Sequence, residues 1–170
     1  MPRTPHDPAR LSTYLRVHEN RLAQVLASGF VSSETLSLAP LSGMLRLYGE
    51  LACLGCILVR VDKYIRVLGA DEDPEVQTTH YSYNASVQGF GSIFRHDNAH
   101  VHPGHADEHH RHDFDWRTGA DVDDSPTWVG VHGWPTLGTF VEYVETWYWQ
   151  NRGALPNPDA FPTLGVGRPF

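Results

Sequence analysis

The chain has 170 residues, enough for one hydrophobic core of ordinary size. Apolar residues make up 41% and charged residues 19%, a balance that excludes an intrinsically disordered chain. The formal charge of -7 argues against an extended grip on nucleic acid, which needs a basic surface, but an enzyme making a short contact with RNA stays compatible.

From Ala9 to Ala27 the residues Leu11, Tyr14, Leu15, Leu22, Val25 and Leu26 recur at helical spacing, with His18 in the same stripe. This predicts an amphipathic helix stopped at Ser28-Gly29, with His18 a packed histidine. A strand is expected over Met44 to Cys53. Ile57, Val59 and Val61 then alternate with Leu58, Arg60 and Asp62, and a strand resumes over Ile65 to Leu68 after a bulge or turn near Lys63. Tyr81, Tyr83, Ala85 and Val87 alternate with Ser82, Asn84 and Ser86, the pattern of a half-buried strand. Gln88-Gly89 turns this strand into Ser92–Arg95, which predicts a hairpin. Trp128 to Val131 reads as one more short strand. Pro135-Thr136 opens a helix with Leu137, Phe140, Val141, Val144, Trp147 and Tyr148 on one face and Glu142 and Glu145 turned away.

From Asn151 onward prolines and glycines dominate, so a tail over 151–170 is expected to be extended, disordered, or docked on a neighbouring chain, which leaves a homo-oligomer open. The predicted fold class is α+β: an antiparallel sheet of four to five strands covered by an N-terminal and a C-terminal helix, with a long His-rich loop. One domain over 1–150 is expected. Two cysteines cannot frame a secreted disulfide scaffold, and Met1 to Pro8 holds three prolines without the apolar run of a signal peptide. No stretch approaches the roughly 20 apolar residues of a membrane helix. The expected compartment is therefore the cytoplasm, with no membrane contact.

Cys53 and Cys56 form a lone C-x-x-C that lacks the two further ligands of a zinc site. Strand geometry would send them to opposite faces, and they read as small buried residues. Glycine-rich phosphate loops, G-x-S-x-G elbows and dinucleotide fingerprints are absent.

The informative segment is RHDNAHVHPGHADEHHRHDFD, residues 95 to 115. Seven of the eleven histidines, His96, His100, His102, His105, His109, His110 and His112, fall within 17 residues. Pro103 and Gly104 interrupt any helix, so the segment is expected to be an exposed, irregular loop leaving a strand end, where binding groups concentrate. The acidic residues that follow, Asp113, Asp115, Asp121, Asp123 and Asp124, read as a solvated surface.

Three chemistries fit this cluster. Imidazoles titrate near pH 6.5, so a pair can serve as base and acid in RNA cleavage, with Arg95 as the cation beside the phosphate. Asp97 lies on the same strand face as Arg95, where it orients an imidazole or holds the guanidinium. Alternatively, Asp97, His110 and His112 hold a divalent ion, zinc or manganese, the H-x-H spacing letting two imidazoles meet one metal. Asp113 and the His100-x-His102 pair offer similar ligands. In the third reading the histidines form a pH-responsive surface without chemistry.

The order CILVRVDKYIRVL, HYSYNASV, FRHDNAH, GHADEHHRHDFD and a helix after GWPTLGTFVEYV resembles the TumE family of toxins from toxin–antitoxin pairs, over about residues 43 to 150. Its specific part is the R-x-D-N strand end followed by H-x-H. The resemblance carries Arg95, Asp97, Asn98, His110 and His112 as site residues, with His96 in place of the usual tyrosine. It implies a growth-inhibiting protein encoded beside an antitoxin, expected to be DNA-binding. Combined with the loop chemistry, the expectation is an endoribonuclease without a cofactor. Arg95 would bind the scissile phosphate, His110 and His112 would act as base and acid, and Asn98 would cap the turn or touch the phosphate. His100, His105, His109 and Arg111 would line the RNA. The rivals are a metal-dependent nuclease or phosphohydrolase and a non-enzymatic interaction module.

Overall fold

The computed structural model describes residues 6–100, 103–104 and 108–165. Among these residues the architecture is α+β, an open antiparallel sheet with two α-helices. Four long or well-paired strands form its body: β4 (Met44–Cys53), β5 (Ile57–Leu68), β6 (Glu75–Val87) and β7 (Ser92–Asp97). The short strands β1 (Ala9–Arg10), β2 (Val31–Glu34), β3 (Ser37–Leu41), β8 (His110–Asp113) and β9 (Thr127–Trp128) bring the sheet to nine strands among the described residues. That exceeds the four to five expected, because β1, β2, β3 and β8 are too short or too polar to alternate, while the strand expected over Trp128 to Val131 is only Thr127–Trp128. The order is β2-β4-β5-β6-β7-β8-β9, with β1 on β6 and β3 on β4.

The break expected near Lys63 does not occur, and β5 runs unbroken. The irregularity lies in its partner: Tyr64 pairs with His80 and Ile65 with Thr78, which leaves Thr79 as the extra residue of a bulge in β6. Gly49 in β4 has φ +143, and a Cβ there would stand 2.6 Å from the Thr35 carbonyl oxygen, so the crossing from β2 to β3 needs glycine at this point.

Helix α1 (Leu11–Ala27) ends at Ser28, as the Ser-Gly pair predicts, and carries no fully buried residue. Helix α2 (Leu137–Asn151) starts where Thr136 accepts a hydrogen bond from the Thr139 amide at 3.2 Å. It buries Phe140, Val141, Val144 and Tyr148. Tyr14 of α1 lies over Lys63 of β5, and Phe140 of α2 packs on Tyr83 of β6. Val61, Lys63, Tyr81 and Tyr83 share one sheet face by register, so both helices cover that face. No helix among the described residues is long and apolar enough to cross a membrane.

The proline- and glycine-rich segment packs on its own chain. Leu155 is buried, and a Cβ on Gly55 would meet its Cδ1 at 2.7 Å. The Tyr148 hydroxyl donates to the Pro158 carbonyl at 3.0 Å, Cys56 donates its amide to the Ala160 carbonyl, and Gln88 exchanges two hydrogen bonds with the Thr163 backbone. Cys53 is buried at the end of β4, but Cys56 is half-buried and sits in the following turn, so the turn rather than strand parity separates them and only Cys53 is a buried residue as expected.

Candidate functional site

The site lies on the other sheet face, opposite the helices. Arg95 pairs in register with His112, and Asp97 with His110. Directly opposed residues of antiparallel strands point to the same side, so these four side chains form two adjoining rows. Continuing the rows inward brings Asn84 beside Arg95 and Ser82 beside Asp97. The surface is polar because alternation has sent the apolar residues to the helical side.

The exposed loop expected for His110 and His112 is corrected here, since both stand on β8. Pairing to β7 captures a segment whose polarity gives no strand signal, and His110 is fully buried. Asp97 is also buried, with its side chain 2% exposed. Arg95 and His112 are the open members, with side chains 32% and 15% exposed.

Asp97 is held at both oxygens. Arg95 Nε donates to Oδ2 at 2.6 Å, and the Ala99 amide donates to Oδ1 at 3.2 Å. Oδ1 also faces His110 Nε2 at 3.2 Å. On the far side of that ring, His110 Nδ1 lies 2.8 Å from the Glu108 carbonyl oxygen. A carbonyl only accepts, so Nδ1 carries a proton and donates. In the neutral ring the lone pair then belongs to Nε2. A lone pair facing a carboxylate oxygen at 3.2 Å repels it unless a proton or a cation stands between them.

The donor set fits such a cation. Asp97, His110 and His112 each offer one ligand atom, and these atoms lie within 4.8 Å of one another. Two donors, each roughly 2.1 Å from one ion, stand about 3 to 3.5 Å apart, the range of the His110–Asp97 separation. An imidazole that turns its second nitrogen to a backbone carbonyl is the usual outer arrangement of a metal-bound histidine. His112 lies below its ordinary pKa, through burial first and then the nearby Arg95 and His110 charges, which favours the neutral ring a metal needs. Its Nδ1 is 3.8 Å from Asp121 Oδ1. Trp128 closes over His110 at 5.5 Å between ring centroids.

The other expected residues fall elsewhere. Asn98 accepts from the Tyr81 amide at 2.8 Å and donates to the Thr79 carbonyl at 2.9 Å, so it ties the strand end to the β6 bulge. Arg111 points to the helical side, chelates Asp113 and covers the Phe94 ring. His109 also takes that side, stacked on Trp134 and Tyr81. His100 is exposed, and His102 and His105 lie outside the described residues. The Ala99 amide, the Glu108 carbonyl and Trp128 are the contributors that sequence reasoning missed. Two are backbone groups and carry no sequence signal.

No family model, curated protein or solved structure matches this chain.

Proposed function

We propose that the protein is a divalent-metal-dependent phosphoester hydrolase whose ion is held by Asp97, His110 and His112. The observation behind this reading is the meeting of His110 Nε2 and Asp97 Oδ1, with the His110 Nδ1 proton committed to Glu108. When bound, zinc or manganese supplies a Lewis acid and an activated water. Arg95 commits Nε to Asp97, and no hydrogen bond among the described residues engages its Nη groups. On a partly open side chain those groups offer a forked cation to a phosphate oxygen. Asp97 balances this guanidinium, and Ala99 fixes the carboxylate's rotation.

The TumE-like residues of this segment make RNA the first substrate to test, in a growth-inhibiting protein restrained by a partner. Purified protein is assayed on bis(p-nitrophenyl) phosphate and a short RNA, before and after chelation and with zinc or manganese restored. Activity lost on chelation and recovered with metal supports the proposal. RNA cleavage unaffected by chelation, leaving 2',3'-cyclic phosphate ends, supports a metal-free reaction instead. That second reading draws on Arg95 and His112, the open pair, with Asp97 already neutralised by the guanidinium.

A further inference from the structure

A cavity of about 380 Å³ lies between α1, the start of α2 and the helical face of the sheet. Its walls are largely apolar, including Tyr14, Val17, Leu47 and Leu137, and Lys63 lines it as well. Lys63 is only 8% exposed and enters none of the ion pairs among the described residues. Its Nζ sits 5.0 Å from the centre of the Tyr14 ring. The Tyr83 hydroxyl is buried without a hydrogen bond of ordinary geometry, yet lies close enough to act on the ammonium. Burial works against the Lys63 charge, but Tyr83 and Tyr14 more than offset it, and the amine holds its proton more firmly than usual. The charge is felt across the cavity: His18 is pushed down by burial first and by Lys63 next. Asp7 is the one carboxylate among the described lining residues, and it lies exposed.

The two phenols favour this ammonium but carry no carboxylate charge, and no ion pair among the described residues reaches it. A largely apolar cavity of this size, inside the range of small-molecule sites, leaves room for an anionic partner beside it. We propose that this cavity binds a small carboxylate with an apolar body, the carboxylate against Lys63 and the body along Val17, Leu47 and Leu137. The site stands on the sheet face opposite Asp97 and His110 and does not depend on the metal reading. Val17 is exposed at the edge of the cavity, which gives such a ligand a way in.

The probes are decanoate and its neutral counterpart decanol, titrated below micelle-forming concentrations into the full chain in EDTA. Decanoate is expected to bind about tenfold more tightly than decanol, the size of one charge-assisted hydrogen bond. In Lys63→Met the two should bind within about twofold of each other. In the wild type, decanoate should also shift the Val17 and Leu47 methyl resonances and the Lys63 ε-methylene. This second readout decides the matter if the variant fails to fold. Equal binding of both probes, binding of neither, unmoved methyl resonances, or a preference for decanoate that survives Lys63→Met would overturn the proposal.

Discussion

His96 provides a sharp test of how the sheet is packed. Its ring is buried between Phe94, Phe140 and Tyr143, at 6.3, 5.9 and 6.0 Å between centroids, and neither ring nitrogen has a hydrogen-bond partner among the described residues. Burial first, and then the Arg111 charge, lower its pKa to about 4, against a pull upward from Asp113 and Asp97 and a further push down from His110. The unfolded chain takes up this proton as pH falls through about 6.5, while the folded chain stays neutral until about 4. The unfolded state therefore binds more protons across that window, and stability is lost as pH falls through it. A gap of about 2.5 units sets a ceiling of about 3 kcal/mol. His96→Leu removes the titration. It also removes two unsatisfied nitrogens, so at pH 7.5 it should be neutral or stabilising by about 1 to 2 kcal/mol. Urea unfolding of both proteins in EDTA, from pH 7.5 to 4.5, measures the difference. The variant's advantage should widen by about 2 kcal/mol toward pH 4.5. Parallel stability curves, or a variant destabilised at every pH, would refute the packing assigned to His96.

Asn98→Ala should cost about 2 to 3 kcal/mol, because it strands the Tyr81 amide and the Thr79 carbonyl; an unchanged urea midpoint would return Asn98 to a surface role. Leu155→Ala should cost about 2 to 3 kcal/mol if the C-terminal segment is part of the core, as thermal unfolding would show. His112→Gln should lower phosphoester hydrolysis at least about 100-fold while leaving the melting temperature in EDTA within a few degrees, because the side chain stands at a partly open edge. The same variant should lose any growth inhibition on expression.

Alternation in the central strands made the α+β class legible, and β4 matches its expected bounds. The strands that escaped notice have physical reasons. Ser37–Leu41 is mostly exposed and contains Pro40, and His110–Asp113 is wholly polar, so pairing rather than propensity makes them strands. The same limit governed the site. Spacing placed Arg95 and Asp97 on one face, but register alone decides that His110 and His112, and not His109 and Arg111, join them. The segment after Asn151 shows no period because single hydrogen bonds and Leu155 hold it in place.

The central claim is that Asp97, His110 and His112 hold one divalent ion. Calorimetric titration of chelator-stripped protein with zinc and manganese tests it, using the wild type, Asp97→Asn and His112→Gln. The account predicts one ion per chain, with affinity falling at least about tenfold in each variant, as loss of a ligand requires. Absence of binding in the wild type, or wild-type affinity retained in both variants, would contradict it, the latter assigning the metal to the loop histidines instead.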